Sequence, residues 1–366
     1  MFINMKNYIA LSMAVAALAL TACTADEVKQ QNAQQGQIPI RLTASLNDNM
    51  TRAFTLDRIP KDTKVYVWAD MINLSDSHRS EYFKGWELLA GVRPGELESD
   101  DVKFFPATNV LDLYAMVGTF SGYSINTKNP LPTAGIYHTV RDNQVSEGAY
   151  YASDLLYAQV RNQEPVAEAT GVELKFYHML SKVRVVLIPG TGSTANDAYD
   201  NDLLKTATVT LLDLETRARF TPAKEVAQLD FQQQATRAAM VAAAPKNAND
   251  AEDYQPRRDM VIATGVPAYD AEGKVVDSSY GDAVIVPQTV SAGEFIKVTL
   301  TDPGTGLTED TYFCFDDDFT FESGKQYQFR LTLDRIGRTY SVTPTISDWT
   351  SEATARDVDM KQSSTN

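Results

Sequence analysis

The side chains that could carry chemistry are few. Histidine occurs only at His78, His138 and His178, and cysteine only at Cys23 and Cys314, in no spacing that a structural zinc site would use. His178 stands between Tyr177 and Met179, an apolar setting that suits a hydrogen-bonded structural histidine better than a catalytic one. Asp197, Asp200 and Asp202 follow a glycine turn at a spacing that could offer oxygen ligands to calcium. They lack the glycine and closing glutamate of an EF-hand, so a solvated loop is the better reading, and Asp316, Asp317 and Asp318 read as a surface strand cap. Trp68, Trp86 and Trp349 could stack on a sugar ring, but single tryptophans within strands are more often core residues. No HExxH, GxSxG, phosphate-loop or dinucleotide pattern occurs, so the chain is not read as an enzyme and no metal or cofactor is expected.

The chain that holds these residues is 366 long, about what two ordinary domains use. Its 43% hydrophobic and 22% charged composition is that of a folded protein with real cores. A formal charge of −15, without any basic stripe, excludes nucleic acid as a partner.

The most specific chemistry is at the start. Lys6 precedes an apolar run from Ile9 to Leu20, and Leu20-Thr21-Ala22-Cys23 follows; residues 1–22 read as a secretory signal peptide. The run falls short of the roughly 20 residues that span a bilayer. Translation from Met5 would give a more usual charged start and leave Cys23 at the same place. The four residues ending at Cys23 are similar to the lipobox of bacterial lipoproteins, which implies cleavage before Cys23 and acylation of its thiol and new amino group. Two acyl chains, at about 0.8 kcal/mol per buried methylene, hold a protein on a membrane far better than one. A lipidated Cys23 leaves Cys314 without a partner, so no internal disulfide is expected. Thr24-Ala25-Asp26-Glu27 resembles the acidic export signal that sends lipoproteins of the Bacteroidota to the outer face of the outer membrane. Residues 23–37 are polar and rich in Gln and Asn, and read as a flexible tether.

From Ile38 the pattern changes. Ile38, Ile40, Leu42, Ala44 and Leu46 alternate with polar residues, the period-two pattern of a half-buried strand over 38–47. A turn-like stretch holding Arg52 and Ala53 follows. Beyond it, short strand-like runs recur between Gly, Pro, Asn and Asp, at Lys64–Ala69, Val110–Phe120, Leu155–Val160 and Val172–Tyr177, and then at Lys182–Ile188, Ala207–Leu214, Met260–Gly265, Ala283–Val286, Phe295–Thr301, Thr311–Phe315, Tyr327–Asp334 and Tyr340–Ile346. Many short strands with turn signals between them indicate an all-β protein of sandwich type. Residues 222–244, rich in Ala and Gln, are undecided between helix and strand. The polar stretch Asn162–Gly171 marks a domain boundary, giving an N-terminal domain over 38–168, a C-terminal domain over 169–350 and a tail over 351–366.

Several segments together resemble the fimbrillin family of Bacteroidota, which supplies pilus shaft, tip, accessory and anchor subunits. They are the lipobox, Thr51-Arg52-Ala53, Ser153-Asp154-Leu155-Leu156-Tyr157-Ala158, Phe176-Tyr177-His178-Met179-Leu180-Ser181-Lys182-Val183, Val286-Pro287-Gln288, Gly324-Lys325-Gln326-Tyr327 and Ile346-Ser347-Asp348-Trp349. The resemblance implies two transthyretin-like β-sandwich domains in tandem. It implies a lipoprotein cut by an arginine-specific protease, with Arg52 and Ala53 flanking the cut, and a vacated groove that takes a strand from another fimbrial subunit. Partners are then other subunits by strand addition, the outer membrane through Cys23, and a host or bacterial surface ligand. The tail, with Ala353, Ala355, Val358 and Met360 in thin alternation, is the donor candidate. A surface lipoprotein that binds a glycan or host protein without polymerising is the alternative. Cys23→Ser is expected to move the protein from the membrane to the soluble fraction and to abolish labelling by a palmitate analogue.

Overall fold

The computed structural model describes residues 38–46, 59–121, 123–166, 171–189, 204–222, 240–242, 257–265, 281–302, 304–333, 341–348, 354–355 and 360–363. Nearly all regular structure in them is β, as the alternation indicates.

The first half runs through β1 (Leu42–Leu46), β2 (Lys64–Ile72), β3 (Arg79–Ala90), β4 (Leu97–Glu98), β5 (Val110–Val117), β6 (Phe120–Ser121) and β7 (Ile136–Thr139). A short helix α1 (Glu147–Ser153), then β8 (Leu156–Gln163) and β9 (Val172–His178), complete it. Seven of these strands form one sheet in the order β1-β9-β8-β5-β2-β3-β4. The pairings are antiparallel except that of β1 with β9, which is parallel, with Leu42 opposite Val172 and Leu46 opposite Phe176.

Central β5 is buried at every position, because strands flank it on both edges and side chains cover both faces. Its odd residues Leu111, Leu113, Ala115 and Val117 join one apolar cluster, with Val65 and Val67 of β2, Leu156 of β8, Val172, Leu174 and Phe176 of β9, and Ile40 and Leu42. Its even residues Tyr114 and Met116 join a second cluster that takes in Trp68 and extends through the second half of the chain to Leu331. Asp112 shares that even face. Fully buried, it accepts from Arg79 Nη2 at 2.8 Å, Arg161 Nη1 at 2.5 Å and the Asn162 amide at 2.8 Å, so its charge is compensated.

The second half continues with β10 (Ser181–Pro189), β11 (Thr208–Glu215), β12 (Arg217–Phe220), β13 (Met240–Ala242), β14 (Arg257–Thr264), β15 (Asp282–Ile285) and β16 (Thr289–Val290). It ends with β17 (Gly293–Thr301), β18 (Thr308–Phe315), β19 (Phe319–Thr320), β20 (Lys325–Leu333), β21 (Ser341–Asp348), β22 (Thr354–Ala355) and β23 (Met360–Ser363). Two five-stranded sheets, β15-β10-β20-β21-β22 and β14-β11-β17-β18-β23, feed the second apolar cluster. An aromatic knot lies within it, where Phe295 stacks on Phe315 at 4.8 Å, Phe315 on Phe319 at 4.6 Å, and Phe321 meets Tyr327 edge-on at 4.8 Å.

The two halves share hydrogen bonds. β8 ends at Gln163 and β9 begins at Val172, and the two are neighbours in one sheet, so that sheet continues past the expected division at 168/169 to His178. Gly171, at φ +63°, turns the chain into β9. β7 of the first half pairs with β12 of the second. Buried Gln144 exchanges two bonds with the backbone of Val284, accepting from its amide at 2.9 Å and donating to its carbonyl at 2.8 Å.

β3 and α1 are among the elements that were not legible in the pattern. β3 exposes Glu81, Tyr82, Glu87 and Leu89 while burying Gly85, Trp86, Leu88 and Ala90. Gly85 breaks its alternation with φ +49°, and a Cβ there would sit 2.3 Å from Asn126 O. Helix α1 is seven residues long, too short to show a period, and is started by Ser146, whose side chain accepts from the Ala149 amide. Of 222–244, Met240–Ala242 is strand, and 223–239 lies outside the described residues. Leu42→Ala is expected to destabilise the lipid-free protein by about 2–5 kcal/mol, the range for a buried leucine in a packed core, measured by urea unfolding.

Candidate functional site

The alternation beginning at Ile38 predicts one buried face; Ile40 and Leu42 are 4% exposed and Ala44 and Leu46 pack on the same cluster, but Ile38 is 39% exposed, so the buried face begins at Ile40. Period two does not say what pairs with the edges. Along one edge β1 runs parallel to β9. Along the other, the Ile40 amide donates to Lys103 O at 2.7 Å, the Phe105 amide to Ile38 O at 2.8 Å and the Ala44 amide to Gly95 O at 2.9 Å. Antiparallel bridges Pro39↔Phe104 and Thr43↔Glu96 accompany these bonds. Residues 38–46 therefore join one end of the seven-stranded sheet to the segment beside β4 at its other end, and they cover the apolar side chains between.

A cavity of about 370 Å³ lies where β1 ends. Leu46, Tyr66, Val117 and Leu156 from the sheet and Tyr150 and Tyr151 from α1 form apolar walls. Asp154, His178 and Lys182 supply polar groups. Asp154 caps the C-terminal end of α1, and its Oδ2 is 2.8 Å from His178 Nδ1 at the end of β9. The buried pair fixes the helix to the strand. Lys182 pairs with Asp282 at 3.2 Å, and Arg184 grips the same carboxylate with two bonds of 2.7 Å. Burial alone would raise the Asp282 carboxyl; the two cations together outweigh it and hold it at about 2. His138, buried with Nε2–H donating to Ser153 O at 2.8 Å, is pushed below its usual range, chiefly by burial, and stays neutral.

The short segments scattered along the chain converge here. Asp154 meets His178, and the Met179 amide donates to Leu155 O at 2.9 Å. The Gly324 amide donates to Leu180 O at 2.9 Å, Ser323 Oγ donates to Met179 O at 2.7 Å, and Lys182 lies in register with Gln326. Gln288 accepts from the Glu215 amide at 2.9 Å and donates back to Glu215 O at 3.1 Å. The bonds of Asp154, Leu155, His178 and Met179 lie where the first sheet meets the second half.

Cys23, Arg52 and Ala53 lie outside the described residues, as do Asp197, Asp200, Asp202 and Trp349. The described residues that flank the Arg52 segment, Leu46 and Ile59, both line the cavity. Trp68 and Trp86 are buried, donating to Asn129 O at 2.9 Å and to Asp101 O at 2.8 Å, so neither offers a stacking face. Asp316, Asp317 and Asp318 are exposed after β18, and Asp318 accepts from the Ala292 amide at 3.0 Å. Cys314 lies half-buried in β18. Among the described residues no group of His, Cys, Asp and Glu is arranged to hold a metal ion, and no helix is long and apolar enough to cross a membrane. Sequence reasoning missed the cavity and the Asp154–His178 pair; the one signal was that both residues sit in segments already singled out.

An all-β chain whose first strand completes its leading sheet is the class that this architecture defines. The profile of the fimbrillin-like family matches residues 51–349, and the chain belongs to that family. A search of curated proteins finds no significant match. Among solved structures, a candidate cell adhesion protein from Bacteroides ovatus aligns with TM-score 0.54 and 17% identity, over 87% of this chain and 100% of its own. Another, from Bacteroides uniformis, aligns with TM-score 0.52 and 15% identity, over 86% of this chain and 98% of its own. At such identities the likeness shows the fold alone.

Asp282, depressed below its ordinary 3.8, contributes stability that is present above about pH 4 and is lost as pH falls toward about 2. The contribution is on the order of 2 kcal/mol. Asp282→Asn is expected to remove that acid-dependent step and to cost about 3 kcal/mol at neutral pH by leaving Lys182 and Arg184 uncompensated. Urea unfolding at a series of pH values checks both.

Proposed function

We propose that this chain is a cell-surface fimbrial subunit, exported as a lipoprotein on Cys23 and assembled by strand exchange after cleavage between Arg52 and Ala53. Membership of the fimbrillin-like family supports the fimbrial role, and no catalytic part is assigned. The observation that carries the assembly step is the hydrogen bonding of residues 38–46 along both edges. A cut at Arg52 leaves that strand held without a covalent bond. Its departure exposes two strand edges and an apolar trough, which one extended segment of another subunit fills at once. Each fully buried side chain such as Ile40 or Leu42 is worth about 1.5–3 kcal/mol to whichever strand occupies the seat. Ordering the incoming strand offsets part of this. The tandem of two transthyretin-like sandwiches, which the family resemblance implies, is part of the same reading.

The C-terminal tail is the donor in this proposal. A specific observation favours a second reading, a surface lipoprotein that binds a glycan or host protein without polymerising: the tail pairs within its own chain, β22 with β21 and β23 with β18. Treating the lipid-free protein with an arginine-specific protease separates the two. A new N-terminus at Ala53 with ladders of higher mass is the expected result, and Arg52→Ala is expected to abolish both. A chain cut at Ala53 that stays monomeric supports the second reading, and normal processing of Arg52→Ala removes Arg52 from the scheme.

A further inference from the structure

We propose that the exposed patch formed by Ile38, Tyr82 and Val102 is a lipid-contacting foot, which rests on the bilayer surface while the chain is anchored at Cys23. This rests on the lipoprotein reading above.

Seven large apolar side chains are exposed among the described residues, and four of them stand apart. Leu74, Val92 and Leu307 lie singly in the connections β2–β3, β3–β4 and β17–β18, and Leu89 is in register with Lys64 on one side and Glu98 on the other. Isolated exposures of this kind are ordinary on a protein surface. The other three, at 39%, 38% and 46% exposure, gather about Phe104. Tyr82 Oη donates to Phe104 O at 2.8 Å, Ile38 O accepts from the adjoining Phe105 amide at 2.8 Å, and Val102 stands two positions before Phe104 on the same segment. Half-buried Phe104, and half-buried Pro39 bridged to it, add to the apolar surface.

The chemistry of the patch selects the partner. A tyrosine ring held by its own hydroxyl and flanked by aliphatic side chains suits the boundary between headgroups and acyl chains, where one end of a contact is apolar and the other wet. Lys84, two residues from Tyr82, and Lys103, next to Val102, each pair with a carboxylate at 2.6 Å, Glu81 and Asp101 respectively. Arg41 and Asp100 add one exposed charge of each sign. In a chain of formal charge −15 this rim is balanced, so the face approaches anionic headgroups without the repulsion that the net charge imposes. The lysine stems can lie along the apolar surface with their ammonium groups at the phosphates.

Position points the same way. Cys23 stands 15 positions before Ile38, a reach of about 50 Å at full extension. Every other described residue lies farther along the chain from the anchor. An anchor alone leaves the molecule free to tumble above the membrane. A foot at the point where the anchored chain enters the fold holds one side down and presents the opposite side outward.

In the test, residues 24–366 carry Cys314→Ser and a hexahistidine tag in place of Cys23, and are held by nickel-chelating lipid on vesicles of phosphatidylethanolamine and phosphatidylglycerol. An environment-sensitive dye is attached at Val102→Cys or, as the control, at Leu307→Cys, a hairpin position that is 72% exposed. On vesicles the dye at 102 is expected to brighten at least about twofold with a blue shift, as a group entering the headgroup boundary does, and the dye at 307 to stay unchanged. Tyr82→Glu is expected to abolish the response at 102 without lowering the thermal midpoint. No response at 102, or an equal one at 307, overturns the proposal. So does a response at 102 that grows with protein concentration in the absence of vesicles, which assigns the patch to contact with a second copy. The tag anchors the chain whatever the fate of Cys23, so a natural chain that takes up no palmitate analogue removes the lipoprotein reading and leaves the affinity of the patch for lipid standing.

Discussion

Everything in the first half of this protein depends on one strand being hydrogen-bonded along both of its edges. Residues 38–46 pair with β9 on one side and with residues 95–105 on the other, so the ends of the seven-stranded sheet are joined through them. A sheet closed in this way presents no long edge there to a neighbouring molecule, and its apolar trough is roofed. β1 and β2 are not neighbours in the sheet, so no tight turn joins them, and the connection between them, residues 47–63, contains Arg52.

The remainder of the molecule makes that seat rigid. β5 presents odd residues to the trough and even residues to the second half, so both faces of the sheet are packed and the trough cannot simply collapse when its roof is removed. Polar groups secure the back of the sheet without leaving charge uncompensated. Asp112 is held by two arginines, Asp154 by His178, Asp282 by Lys182 and Arg184, and Gln144 by the backbone of Val284. The His178 and Asp282 clusters meet around the cavity at the end of β1. The residues that recur as short motifs along the chain are thus largely the fasteners of this junction, and their chemistry is positional.

Much of the architecture was legible in the residues. The runs at Lys64–Ala69, Val110–Phe120 and Val172–Tyr177 read as strands because inward and outward positions alternate or are all apolar, and β2, β5 and β9 occupy them. β3 was not legible, because Gly85 adopts a left-handed φ where the strand passes the Asn126 backbone, and several charged residues interrupt its apolar series. The polar stretch Asn162–Gly171 has the composition of a linker, yet β8, which ends within it, and β9, which follows it, are neighbours in one sheet; composition reports solvent exposure and says nothing of which strands lie on either side.

By itself the sequence determined the β character of the chain and the buried face of its first strand from Ile40 onward, because each depends on a few neighbouring residues and on a period of two. Only the tertiary structure decided what that first strand pairs with, that Asp154 meets His178, and that Leu46 and Ile59 border one cavity with Tyr150 and Lys182. These are pairings across a hundred or more residues in several cases, Leu46 with Phe176 among them. Strand periodicity orients a side chain toward a core, but it carries no information about the partner waiting there. That choice is made by how all the strands pack at once.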